Sequence, residues 1–306
     1  MLINIIILII SIILLWVGAN YLVISASRIA EKLGISELII GLTIVAFGTS
    51  SPEFAVTISA AIMGHANISV GNIVGSNIFN LGFILGSIAI IKSIQTSHKL
   101  VYRDGLFMIG ITILLLFFFS DNKLGVIEGA ILFTLLLGYL TLLFIKKENI
   151  EEENIPHQQT TMKDYFLIPL SIATLIAGGH FLVESASTIA RTVGISEWVI
   201  GVTIVAAGTS APEMATSLIA VIKGKHALSA GNLIGSDLFN ILGVLGVAAI
   251  IGNLQIEEKA FNSLIMLSFM VILVVIFLRT GWRLSRIEGI ILVLIGIIRW
   301  IFDFSK

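Results

Sequence analysis

Two glutamates stand inside long apolar runs in nearly the same local setting, Glu53 in "GTSSPE" (48–53) and Glu213 in "GTSAPE" (208–213). Each follows a proline. A proline within a helix has no N–H for the carbonyl four residues back, and its ring crowds that carbonyl, which here belongs to Gly48 or Gly208. The expected result is a kink with backbone oxygens unpaired around Ala46–Gly48 and Ala206–Gly208. Thr49 and Glu53 are four residues apart, on one helix face, with Ser50 adjacent; Thr209, Ser210 and Glu213 repeat the set. Ser76 and Asn80, and Ser236 and Asn240, carry the same spacing. Every one of these groups offers oxygen. Hard cations want such a set: Ca²⁺ takes roughly six to eight oxygens at about 2.3–2.6 Å. Two glutamates would neutralise one divalent ion, while hydroxyls and carbonyls suit Na⁺. No His or Cys accompanies them, which argues against Zn²⁺ or Cu.

The elements that must position these groups are membrane spans. The 306 residues are 57% hydrophobic and 12% charged, too few charges to cover a soluble surface. Apolar runs near twenty residues recur along the chain, each long enough to cross a bilayer as a helix. They are continuous rather than alternating, which excludes a membrane barrel and predicts an all-α integral membrane protein. Ten transmembrane helices are expected, near 3–27, 37–63, 69–91, 101–120, 125–145, 165–190, 197–222, 229–251, 260–279 and 287–304. The opening "MLINIIILIISIILLWVG" lacks a basic n-region and a small-residue cleavage site, so it reads as a first span rather than a signal peptide. The absence of Cys removes disulfides and thiolate chemistry, and with a net charge of −1 and no basic aromatic cluster nothing points to nucleic acid.

The chain repeats itself at an offset of 160 residues: "GISELIIGLTIVAFGTSSPE" (34–53) recurs as "GISEWVIGVTIVAAGTSAPE" (194–213), and "SVGNIVGSNIFN" (69–80) as "SAGNLIGSDLFN" (229–240). This divides it into a first five-helix repeat (1–145), a charged cytoplasmic linker (146–164) and a second five-helix repeat (165–306). Five is odd, so the second copy must enter the membrane inverted, an arrangement found in secondary transporters with the site near the midplane between copies. Of the 18 Lys and Arg, thirteen fall at helix ends on the linker side and five on the other, which puts both termini outside.

The paired "GTSSPE"/"GTSAPE" and "GNIVGSNIFN"/"GNLIGSDLFN" motifs resemble the two alpha-repeats of the sodium/calcium exchanger family, within the cation/calcium antiporter superfamily, over essentially the whole chain. The resemblance implies electrogenic antiport of several Na⁺ for one Ca²⁺ across the cell membrane, with ions bound by the second, third, seventh and eighth helices. By motif match, Glu53 and Glu213 would carry Ca²⁺ with oxygens of Thr49 and Thr209. Sodium would use Ser50, Ser76, Ser210, Ser236 and the carbonyls of Ala46 and Ala206, with Asn80 and Asn240 completing the cluster. The partners implied are the lipid bilayer and the two transported ions; no cofactor is expected, and the oligomeric state is left open. Some relatives carry Asp at the position of Asn240, whereas here the eighth span's acid is Asp237, opposite Asn77 of the first repeat.

Other readings stay open beside this one. A carboxylate pair can also carry protons, so an H⁺-coupled cation exchanger is the alternative. Protonated glutamates that merely bond helix to helix are the plainer one, although an intramembrane acid is functional by default. An intramembrane enzyme is disfavoured because no Ser/His, Cys/His or His–Glu metal set accompanies the acids, and a passive channel because carboxylate cages slow ion release. His180 and Glu184, one turn apart in the sixth span, are expected to share a structural hydrogen bond. The glycines of "GxxGS" at 71–75 and 231–235 read as close-packing surfaces.

Overall fold

The computed structural model describes residues 1–145, 160–195, 200–256 and 258–304. Most of the expected linker and the start of the seventh expected span therefore lie outside the described residues. The described residues are mostly helical: α1 Leu2–Leu33, α2 Glu37–Thr49, α3 Ser51–Ile62, α4 Ala66–Ile91, α5 Leu100–Asp121, α6 Val126–Ile145, α7 Met162–Thr192, α8 Thr203–Thr209, α9 Ala211–Ile222 and α10 His226–Gly252. Then follow α11 Glu258–Arg279 and α12 Arg286–Phe304.

Among the described residues, seven helices are long and apolar enough to cross a membrane, and the bent pairs α2/α3 and α8/α9 bring the number to nine. The tenth expected span, α12, is a 19-residue helix, but it holds Glu288, Arg299 and Asp303 and is too charged to pass on composition. Of the ten expected spans, up to nine are thus supported among the described residues.

Burial sorts the helices into layers. In α4 and α10, 78% of the span is buried, against 22% of α1. The first two therefore form the centre and α1 lies on the lipid side, exposing Ile5, Ile9, Ile12 and Trp16. Among what α1 buries are small residues, Ser11, Gly18, Ala19, Ser25 and Ala26, beside larger ones such as Leu15, Leu22 and Ile29. It crosses α7 at Gly18 and Gly178, where an added Cβ would lie 3.0 Å from Leu175 and 3.1 Å from Leu15 respectively. Small residues at a crossing let backbones approach, and in lipid such packing is a principal attraction between helices.

The prolines act differently from the expected mid-helix kink. Pro52 and Pro212 stand in the first turn of a new helix, α3 or α9, after the chain leaves helical geometry at Ser50 (φ −80°, ψ 9°) or Ser210 (φ −88°, ψ 10°). The missing N–H costs little in a first turn. The breaks bend the two pairs by 52° and 54°.

Two short antiparallel pairs tie the halves together: β1 (Ile94–Gln95) with β4 (Arg283–Leu284), and β2 (Lys123–Leu124) with β3 (Leu254–Gln255). β1 precedes and β2 follows the 22-residue α5, so the pairs lie at opposite ends of that helix.

Candidate functional site

The breaks at Ser50 and Ser210 place the two glutamates in the first turns of α3 and α9, and both side chains are fully buried. Each is held from the other half. Ser50 Oγ donates to Glu213 Oε1 at 2.9 Å, and Ser210 Oγ donates to Glu53 Oε1 at 2.9 Å. The hydroxyls of Thr49 and Ser236 also face Glu213, and that of Thr209 faces Glu53. Sequence spacing grouped Thr49 with Glu53 on one helix; the bend at Ser50 breaks that register, and the Ser50 and Ser210 hydroxyls serve the opposite repeat's acid.

Behind each acid stands an asparagine that the motif reading passed over. Asn72 Nδ2 donates to Thr57 Oγ1 (2.9 Å) and to the Glu53 carbonyl (3.4 Å); Asn232 Nδ2 donates to Ser217 Oγ (2.9 Å) and to the Glu213 carbonyl (3.5 Å). These bonds fix α3 on α4 and α9 on α10. The signal that would have found them is their recurrence at the same 160-residue offset. Thr49 Oγ1 lies 3.1 Å from Asn232 Oδ1 and 3.4 Å from Ser236 Oγ, and Ser76 Oγ donates to the Asn72 carbonyl at 2.8 Å.

A second cluster adjoins this centre. Asn80 Nδ2 donates to Asp237 Oδ1 (3.0 Å), Asn77 Nδ2 to the Asp237 carbonyl (3.1 Å), and Asn240 Nδ2 to Asn77 Oδ1 (3.0 Å). Asp237 therefore reaches the expected Asn80–Asn240 group. Both helices run through a π-helical stretch here, Asn80–Ile84 and Phe239–Leu245, a wide turn common at functional sites and not legible from hydrophobic periodicity.

The chemistry of the site lies in what is left over. Five buried oxygens have no protein partner: Glu53 Oε2, Glu213 Oε2, Asp237 Oδ2, Asn80 Oδ1 and Asn240 Oδ1. Buried acceptors without a donor cost a few kcal/mol each by transfer measurements, so native proteins rarely keep them. Among the described residues no lysine, arginine or histidine pairs with the three acids, and no three His, Cys, Asp or Glu side chains converge on one point.

Two expectations are corrected. The Ala46 carbonyl is not left bare: it accepts the Ser50 N–H at 3.0 Å and the Thr49 hydroxyl at 3.3 Å, because the helix continues to Thr49 before it breaks. His180 and Glu184 make no hydrogen bond; Nε2 and Oε2 are 3.9 Å apart and the side chains are 72% and 66% exposed, on the outer face of α7. Ala206 begins the helical turn Ala206–Thr209.

The matching "GxxGS" glycines have unlike surroundings. An added Cβ on Gly235 would lie 2.6 Å from Leu42 Cα, and one on Gly231 2.7 Å from the Leu38 carbonyl, so α10 packs backbone to backbone on α2. The same seam carries an ion pair, Lys225 Nζ to Glu37 Oε1 at 2.6 Å. Among the described residues, an added Cβ at Gly71 or Gly75 would meet nothing within 4 Å.

Fold and site together define a multi-pass helical membrane protein whose two halves exchange bonds across a buried acidic centre. The sodium/calcium exchanger protein family profile matches residues 3–145 and 163–301. The chain is 38% identical over 296 residues to the putative antiporter CaxA of Alkalimonas amylolytica, covering 92% of each. It is 33% identical over 341 residues to the sodium/calcium exchanger MaX1 of Methanosarcina acetivorans, covering 95% of this chain and 96% of that one. Its fold matches the solved structure of the sodium-calcium exchanger NCX_Mj with a TM-score of 0.86 at 30% identity, over 97% of both chains. The chain belongs to the sodium/calcium exchanger family, whose members are membrane antiporters.

Proposed function

We propose that the protein exchanges Na⁺ for Ca²⁺ across the cell membrane by alternating access. The observation that carries this reading is the reciprocal pairing of Ser50 with Glu213 and Ser210 with Glu53, with one oxygen of each glutamate unpartnered. Two carboxylates balance one divalent ion in a low-dielectric site, where uncompensated charge is very costly. Ca²⁺ takes the free oxygens of Glu53 and Glu213 with oxygens from Thr49 and Thr209. Na⁺ competes for the same acids together with Ser50, Ser76, Ser210, Ser236, Asn80, Asn240 and the carbonyl of Ala206. The ions are substrates; catalysis in the enzymatic sense has no part in this.

Alternating access needs halves that can swap roles, and the inverted-repeat reading supplies them: ten spans, repeats 1–145 and 165–306, and the linker between. The strand pairs support the inversion. β2 and β4 are repeat counterparts by the 160-residue offset, yet β4 is bonded to β1, at the end of α5 opposite β2. With α10 packed on α2, and nothing among the described residues within 4 Å of a Cβ on Gly71 or Gly75, the access we infer is from the end where α3 joins α4, and the basic-residue asymmetry supports that end, with both termini, facing outside.

The test is uptake of radiolabelled Ca²⁺ into reconstituted vesicles under an outward Na⁺ gradient or an outward H⁺ gradient. Uptake driven by Na⁺ is the expected result. Uptake driven by H⁺ alone would replace the coupling ion, and uptake indifferent to both would remove the antiport reading.

A further inference from the structure

Where α5 begins and α11 ends, on the linker side, a cluster of side chains stands apart from the ion site. Arg279, the last residue of α11, donates through Nε to Tyr102 Oη at 2.6 Å. Its guanidinium lies 4.5 Å from the centre of the Trp282 ring and 5.8 Å from that of Tyr102. The His98 ring completes the group, 4.4 Å from Tyr102 and 5.7 Å from Trp282. All four residues are exposed, and among the described residues neither Arg279 nor the neighbouring Arg283 has a carboxylate partner. We propose that this cluster holds the headgroup of one anionic phospholipid of the linker-side leaflet, with its phosphate on Arg279 and an acyl chain along α11.

Three observations point to a lipid. The first is a stripe. Ile265, Phe269, Ile272 and Ile276 are exposed on one face of α11, and Arg279 continues that face at its linker-side end. Hydrocarbon covers the stripe, so what meets Arg279 is the group in which the chains end. The second is broken repeat symmetry. By the 160-residue offset Arg279 stands for Phe119 and Trp282 for Asn122. Asn122 takes a left-handed conformation (φ 61°), which asparagine tolerates; Trp282 takes it too (φ 55°), which a bulky side chain rarely does. Strain of this kind gathers at ligand clamps, and here it sets the indole against Arg279. The Trp282 carbonyl accepts the Thr96 N–H at 3.0 Å, which fixes the turn beside β1. The third is charge. Arg283 and Arg286 are exposed and follow Arg279 in the chain, whereas Asp104 is engaged with Arg103 and Tyr139, and Glu288 with Ser285. A guanidinium stacked on rings with only Nε in use offers its Nη donors to a phosphate in a fixed plane. Because Arg279 already covers the ring faces, a choline cation finds no aromatic cage there, and the site favours a headgroup with net negative charge.

The experiment is native mass spectrometry of detergent-purified protein titrated with phosphatidylglycerol, or with phosphatidylcholine of the same acyl chains. Wild type is expected to hold one phosphatidylglycerol about tenfold more tightly than phosphatidylcholine. Arg279→Gln is expected to weaken phosphatidylglycerol about tenfold, as for one lost hydrogen bond to a charged group. Lys123→Gln, at the repeat counterpart of Arg283 and the opposite end of α5, should leave that affinity unchanged. Trp282→Asn, which restores the first repeat's residue, should weaken phosphatidylglycerol without lowering thermal stability in lipid-free detergent, because asparagine relieves the turn. Equal retention of the two lipids by wild type overturns the site, as does full affinity in Arg279→Gln or an equal loss in Lys123→Gln. Displacement of phosphatidylglycerol by inorganic phosphate at equal concentration overturns it too, in favour of a free anion. The wild-type comparison decides the matter even if a variant does not fold.

Discussion

Glu213→Gln keeps the shape of the side chain and an oxygen for Ser50 to bond, and removes one charge from a fully buried site. Two unit charges about 4 Å apart interact by about 4 kcal/mol at an effective dielectric constant near 20, and a divalent ion with one carboxylate by about twice that. The remaining amide oxygen and relaxation of the site return roughly half, which leaves a loss of about 4 kcal/mol. At about 1.4 kcal/mol per decade this is close to three orders of magnitude in Ca²⁺ affinity. Folding should not suffer, because an amide is cheaper to bury than an unpaired carboxylate. The assay is equilibrium binding of radiolabelled Ca²⁺ to purified protein, with gel filtration in detergent as the check on folding. The mirrored pairing demands that Glu53→Gln give the same loss within a factor of a few. Binding within tenfold of wild type in either variant would refute the two-carboxylate cage.

The other predictions follow from the same geometry. Ser50→Ala removes a hydrogen bond to a charged group, worth about 1.5–3 kcal/mol, and should weaken ion binding about 10- to 100-fold, read as the Na⁺ and Ca²⁺ concentrations for half-maximal exchange. Gly235→Ala forces Leu42 backbone to move and should destabilise by about 1–3 kcal/mol, seen in thermal unfolding. Gly75→Ala meets nothing within 4 Å among the described residues and should leave stability unchanged, seen in thermal unfolding. Pro52→Ala restores an N–H at the start of α3 and should ease the 52° bend, weakening Na⁺ dependence of transport more than thermal stability.

The oxygens of the centre were legible in the sequence because their positions are costly. A glutamate in an apolar run stands out, and the 160-residue repeat doubles it. Partnership was not legible. Helix periodicity assigned Thr49 to Glu53, but the break at Ser50 turns the register, and the hydroxyls at 49 and 50 serve Glu213. The sequence showed Asp237 but not its contact with Asn80, which crosses between α4 and α10, nor the π turns at Asn80–Ile84 and Phe239–Leu245. Gly71, Gly75, Gly231 and Gly235 show the limit most plainly. Their motifs match, yet Gly231 and Gly235 pack against backbone while Gly71 and Gly75 meet nothing within 4 Å among the described residues.

The central claim is obligatory exchange at one shared site, and its most direct measurement is efflux of radiolabelled Na⁺ from reconstituted vesicles on addition of external Ca²⁺. The account predicts that Ca²⁺ entry and Na⁺ exit rise together, saturate at the same Ca²⁺ concentration, and vanish together in Glu53→Gln. Ca²⁺ entry with no Na⁺ exit, or Na⁺ exit that survives Glu53→Gln, would contradict it.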